Sequence, residues 1–310
     1  MCTRILRGRA SDIVLADSVV VCSFALGTPL YFAALRETIC SVLQHTAFDI
    51  VALVGPDCLI RLPVSLRVHQ LRFEAHSGDH RSHCFLAKFR ALQQCLEHSD
   101  AEIVLYLDAD AVLTRSVSAR DVHAALAGRS LGMVEQSPPP GSQHSRRFFY
   151  DHYRNYTRRW FAAESEPPPL DAFRFFNSGV VLGHREGLAQ VCAWAVAAID
   201  ALGPVHQVGE HMITDQDYFQ YWANELHPDS TTLLDWSWNH CEHWHGQFPR
   251  RGVRVAHLSN ACHGPTRRNI LRLRALRTSP VIERTWRHLR NAPLFGAVLR
   301  RLRGQEQHGA

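Results

Sequence analysis

A chain of 310 residues with 46% hydrophobic content and a formal net charge of +5 can bury a full core, as one large α/β domain or two modest ones. Its nine cysteines are dispersed, odd in number and without a Cys-x-x-Cys pair, which fits a reducing compartment with buried thiols better than a disulfide scaffold. The apolar stretch 13–35 is interrupted by Asp17, Ser18, Gly27 and Pro29, which excludes a membrane span or secretory leader there, so the expected location is cytoplasmic.

Residues 18–24 (Ser-Val-Val-Val-Cys-Ser-Phe) predict a first strand, apolar throughout as a strand covered on both faces must be. A helix is predicted over 31–44, where Leu35, Ile39, Val42 and Leu43 share a face. A second strand, 49–54, stops at Gly55-Pro56, and a third is predicted over 66–73. A helix over 84–95 carries the apolar stripe Phe85, Phe89, Leu92 and Leu96, and the strand 103–107 follows. Strand and helix alternate at short intervals, which predicts a mainly parallel, doubly wound sheet. The breakers Ser137-Pro-Pro-Pro-Gly-Ser and Glu166-Pro-Pro-Pro bracket an aromatic and basic segment, 146–161, read as an excursion that covers a cleft. A strand over 176–183, helices over 188–202 and 215–226, and a short strand over 253–257 complete the body. The tail 266–303 holds eleven arginines against one acid, Glu283, interleaved with leucines in a helical pattern. Lys88 is the only lysine in the chain.

The strand 103–107 delivers Asp108 and Asp110 to its end, one residue apart and on the same side of an extended backbone. Two carboxylates held so close repel, and a cation between them relieves the repulsion. A hard divalent ion with open positions can then grip a phosphate oxygen. Taken alone, the motif serves a metal–phosphate site and a strand-to-loop junction with two solvated acids equally well. Asn177-Ser-Gly alone is a good turn, Asp215 and Asp217 alone suit a helix N-terminus, and Lys88 alone reads as a solvated helix lysine. His257 alone reads as a core or loop histidine. The run His240-Cys-Glu-His-Trp-His245 lacks a second ligand pair at zinc-site spacing. Its flanking Trp236, Trp238 and Trp244 suit a core or an acceptor wall.

Four segments stand in order: 21–24 (Val-Cys-Ser-Phe), 107–110 (Leu-Asp-Ala-Asp), 175–180 (Phe-Phe-Asn-Ser-Gly-Val) and 214–219 (Thr-Asp-Gln-Asp-Tyr-Phe). Val-Ala-His (255–257) and His-Gly-Pro-Thr-Arg-Arg (263–268) follow. In this order the chain resembles nucleotide-sugar-dependent glycosyltransferases of the GT-A fold, over roughly residues 18–268. It is most similar to the retaining group of glycogenin and bacterial lipopolysaccharide galactosyltransferases, and to the glycosyltransferase domain of lysyl hydroxylases. The resemblance implies a Rossmann-like α/β domain over 1–265 with an arginine-rich helical extension over 266–310. It implies that Asp108, Asp110 and His257 hold Mn2+ or Mg2+ on the diphosphate of a nucleotide sugar, a uridine diphosphate sugar (UDP-sugar) above others. Asn177, Ser178 and Gly179 would line the sugar pocket, and Asp215 and Gln216 would contact the transferring sugar. Ser23 and Phe24 would begin the nucleotide pocket, with Asp108 near the ribose and Lys88 near the diphosphate. The chain departs from the family where His257 is followed by five residues before His263-Gly264-Pro265. Either histidine can be the third ligand; His257 is preferred because it ends an apolar strand. Arg267 or Arg268, beside Gly264, would replace the family's phosphate-binding lysine, since guanidinium grips phosphate bidentately.

Two rival readings remain. A haloacid-dehalogenase-type phosphatase also has an apolar strand followed by Asp-x-Asp, but it requires a basic residue, usually lysine, well downstream, and no lysine follows Lys88. A non-catalytic reading takes the tail as a binder of anionic surfaces; its leucine interleaving fits peripheral contact with an anionic inner-membrane surface through 266–303 better than nucleic acid. The acceptor, whether glycan, lipid-linked saccharide, protein or small metabolite, is not specified by any motif.

Overall fold

The central strand β1 (Val19–Ala25) is flanked in parallel by β2 (Asp49–Val54) and β4 (Ile103–Leu107), with Val21 opposite both Ile50 and Leu105. The structure, a computed structural model, describes residues 18–58, 60–73, 83–136, 146–202, 206–241, 245, 252–258 and 265–278. The strand β3 (Val68–Arg72) adds to β2 at one edge. Beyond β4 lie β7 (Phe176–His184), β6 (Leu131–Glu135) and β10 (Thr231–Leu234), giving the order β10-β6-β7-β4-β1-β2-β3. Four pairings are parallel, whereas β7 runs antiparallel to both neighbours, so the sheet is mixed with a parallel majority.

Period-two alternation feeds two cores. Val19, Val21, Ile50, Ala52 and Leu105 meet Phe32, Leu35, Ile39 and Val42 of α1 (Pro29–His45). Val20, Cys22, Val51, Leu53, Val104 and Tyr106 meet Leu86, Phe89 and Leu92 of α2 (His83–His98), which packs beside α6 (Arg185–Leu202). A proline at its first turn starts α1, where a missing N–H carries no penalty. The short α3 (Ala119–Leu126) is fixed by a capping box between Ser118 and Asp121.

The aromatic and basic segment is helical. Here α4 (Arg146–His152) passes through a π turn (Tyr153–Thr157) into α5 (Arg158–Trp160). Phe149 stacks on Phe175 with ring centroids 4.5 Å apart, which ties this excursion to the start of β7. The hairpin β8 (Gln207–Val208)–β9 (His211–Met212) precedes α7 (Asp215–Tyr221). A single helix was expected over 215–226, but its last turn, Trp222–Leu226, is π-wound. A second, three-stranded sheet joins β5 (Ala111–Leu113), β12 (Val255–His257) and β11 (His240–Cys241).

The described part of the basic extension is α8 (Arg267–Thr278), which packs on α1. Leu273 and Leu276 are buried with Ala34, Val112, Val253 and Ala256, so these two leucines face protein. Arg274 and Arg277 both grip the buried carboxylate of Glu37, at 2.8 and 3.1 Å. The expectation for the rest of the tail falls outside the described residues. None of the described helices is long and apolar enough to cross a membrane. Among the described residues, Cys22, Cys40, Cys58, Cys95, Cys192 and Cys241 form no disulfide.

Candidate metal centre

The turn after β4 positions the aspartate pair. The Asp108 amide donates to the Gly179 carbonyl at 2.8 Å, and the Ala111 amide closes the turn onto Asp108 at 3.0 Å. The Thr38 hydroxyl, from α1, donates to the Ala109 carbonyl at 2.7 Å and pins the apex. The chain then enters β5, which pairs antiparallel with β12 and sets His257 opposite Ala111. The Leu258 amide donates to the Asp110 carbonyl at 3.1 Å. As a result His257 Nε2 lies 3.3 Å from Asp110 Oδ1 and 3.8 Å from Asp108 Oδ2. The three ligand atoms all lie within 4.8 Å of one another. Two carboxylates and one imidazole are a donor set suited to Mn2+ or Mg2+.

A buried amide relay fixes the ring of His257. The Gly179 N–H can only donate, and it donates to Asn177 Oδ1 at 2.9 Å. Asn239 Nδ2 donates to the same oxygen at 2.8 Å. This leaves Asn239 Oδ1 facing His257 Nδ1 at 3.0 Å, so Nδ1 must carry the proton. Nε2 of the neutral ring then presents its lone pair to the aspartates, the orientation a metal ligand needs. Asn177 Nδ2 and Gln216 Nε2 both donate to Gln136 Oε1, at 3.1 and 3.0 Å. Asn177 Oδ1 is therefore fully engaged in supporting His257. Gly179 is required sterically: a Cβ there would lie 2.6 Å from His257 Nδ1, with Cε1 closer still.

Lys88 reaches the same point from α2 and is buried rather than solvated. Its ammonium lies 2.5 Å from Asp215 Oδ2 and 3.1 Å from Asp108 Oδ1, and donates to the Ser178 carbonyl at 2.9 Å. The Tyr106 hydroxyl donates to Asp108 Oδ1 at 2.6 Å. Burial opposes the charge on Lys88, but Asp108 and Asp215 outweigh it and raise its pKa. Burial likewise disfavours the Asp108 carboxylate, yet Lys88 and His257 hold its pKa below the usual range. Asp215 goes the other way: burial, aided by the charge of Asp108, raises its pKa against the pull of Lys88. At His257 burial resists protonation, and the charges of Asp110 and Asp108 overcome it and raise the pKa.

The structure thus brings together Lys88, Asp108, Asp110, Asn177, Ser178, Gly179, Asp215, Gln216 and His257. Phe24 shares the Tyr106 face of the sheet, with ring centroids 6.3 Å apart. Pleat alternation puts the buried Ser23 on the opposite, α1 face, and its hydroxyl makes no hydrogen bond to a described residue. Arg267 is exposed at the start of α8. His263 and Gly264 lie outside the described residues. Sequence reasoning missed Asn239 and Gln136; the only signal for Asn239 was its place just before the histidine-rich run at His240. No protein-family model matches the chain, and no match was found among curated proteins.

Proposed function

We propose that this chain is a metal-dependent glycosyltransferase of GT-A type, moving a hexose from a nucleotide diphosphate sugar, a UDP-sugar above others, to an acceptor with retention of configuration. The observation that carries this reading is the convergence of Asp108, Asp110 and His257 beside the Lys88–Asp215 ion pair, at the carboxyl end of β4. Open α/β sheets bind ligands at that end of their strands. Bound by Asp108, Asp110 and His257, Mn2+ or Mg2+ would neutralise charge that develops on a diphosphate leaving group. Lys88 supplies a second, fixed positive charge at the same point, held in place by three oxygen partners. Asp215 and the side-chain carbonyl of Gln216, whose amide donates to Gln136, would supply the negative and polar groups that an oxocarbenium-like anomeric centre requires. Asn177 and Asn239 do not act on sugar in this scheme; they hold His257 in one tautomer.

The test is turnover of UDP-glucose and UDP-galactose with and without Mn2+. Asp110→Asn should abolish metal-dependent hydrolysis or transfer while circular dichroism stays unchanged. Equal turnover in wild type and variant would sink the reading. Phosphate release from a simple phosphate ester, without consumption of sugar nucleotide, would instead favour a phosphatase. An inverted product in NMR would remove retention alone.

A further inference from the structure

A second cluster lies away from the aspartate pair. His152 closes α4, His211 lies in β9, and Asp217 sits in the first turn of α7. Their ligand atoms lie within 4.8 Å of one another. His152 Nε2 is 3.7 Å from Asp217 Oδ1, and His211 Nε2 is 3.8 Å from Asp217 Oδ2. Both separations are too long for hydrogen bonds. They sit close to the ligand–ligand edge of roughly 3.3–3.5 Å that a tetrahedral ion with bonds of about 2.0–2.1 Å imposes. His211 Nε2 is buried and has no hydrogen-bond partner among the described residues.

The surroundings orient all three groups. Asp217 Oδ1 accepts from the Thr157 hydroxyl at 2.5 Å, and Oδ2 accepts from the Thr214 amide at 2.9 Å and the Thr214 hydroxyl at 3.3 Å. Each carboxylate oxygen is thus fixed by donors on one side while a histidine nitrogen faces it on the other. The two imidazoles stand perpendicular with centroids 4.3 Å apart, and Tyr156 packs on His211 at 4.7 Å. Asp217 is 4% exposed, His152 20% and His211 27%, so solvent reaches the histidine side of the cluster. Hydrogen-bonded second partners of this kind are what metal ligands need to hold their orientation.

We propose that His152, His211 and Asp217 form a second metal site, for Zn2+ or an ion of the same class, with a fourth position open to solvent. Two imidazoles and one carboxylate suit a borderline ion better than Mg2+. The site lies where three elements meet: the α4 excursion, the β8–β9 hairpin and the helix that begins with Asp215 and Gln216. It does not depend on the glycosyltransferase reading.

The experiment is equilibrium dialysis of the full-length, chelator-stripped protein against Zn2+, with metal counted by mass spectrometry. Wild type is compared with His152→Ala, His211→Ala and His211→Gln, each checked for fold by circular dichroism. Each variant should lose one tightly held equivalent or bind it at least about 10–100-fold more weakly, the range for disturbing a ligand's support alone. Asp110→Asn should keep that equivalent, which separates the site from the aspartate pair. Equal Zn2+ uptake and affinity in wild type and the histidine variants would overturn the proposal. So would loss in only one of the two histidine positions, or no tight equivalent in wild type.

Discussion

Asn239→Ala tests the amide relay behind His257. Asn239 is fully buried and bridges two groups: it accepts from His257 Nδ1 at 3.0 Å and donates to Asn177 Oδ1 at 2.8 Å. In the variant Asn177 Oδ1 keeps the Gly179 N–H, so the loss falls on the histidine. A buried donor left without a partner costs about 1–3 kcal/mol. The ring then has no reason to keep its proton on Nδ1, and the nitrogen facing Asp108 and Asp110 is no longer reserved for metal. Losing such a support weakens metal binding about 10–100-fold, which is roughly 1.4–2.7 kcal/mol. Isothermal titration of chelator-stripped protein with Mn2+ reads this directly, and urea unfolding reads the stability loss. Asn239→Asp is the second arm, because it keeps the acceptor for His257 but sets two oxygens against each other at Asn177. A folded Asn239→Ala protein with wild-type Mn2+ affinity would refute the relay.

Three further outcomes follow from the same geometry. Lys88→Met leaves the buried Asp215 and the partly exposed Asp108 near each other without their cation, and removing the buried partner of Asp215 should cost about 3–5 kcal/mol in urea unfolding; a loss below about 1 kcal/mol would return Lys88 to the surface lysine its sequence first suggested. Leu273→Ala should cost about 2–5 kcal/mol if α8 belongs to the core, and an unchanged midpoint would detach it. Asp121 has its pKa lowered by hydrogen bonds from the Ser118 hydroxyl and amide. A lowered carboxyl pKa adds stability that is present above the unfolded value of about 3.9 and is lost as pH falls through the folded one. Asp121→Ala should therefore cost about 0.5–1 kcal/mol at pH 7, discounted for exposure, and the gap to wild type should narrow as pH falls below the unfolded value; a gap that does not change with pH would contradict the cap.

The sheet was legible where burial on both faces forces continuous apolar runs, as in β1, β2 and β4. Its mixed direction was not, because an apolar run such as 176–183 has the same composition whichever way it points. The Asp108–Asp110 pair was legible because a strand ending in acids is a local pattern. Its third partner, His257, was legible only through the resemblance, because it reaches the pair through a three-residue pairing between β5 and β12, more than 140 positions apart in sequence. The burial of Lys88 left one trace: it stands four residues before Leu92, on the stripe that faces the sheet. The His152–His211–Asp217 cluster left none, since its members come from an excursion, a hairpin and a helix cap, each with its own local explanation.

The most direct test of the central claim is a thermal-shift measurement with nucleotide diphosphate sugars, with and without Mn2+, on wild type and Asp110→Asn. A ligand at about 100 times its Kd stabilises the native state by about 2.7 kcal/mol. The account predicts a rise of several degrees with a UDP-sugar that requires Mn2+ in the wild type and is absent in the variant. No shift with any nucleotide sugar, or an equal shift in Asp110→Asn, would contradict it.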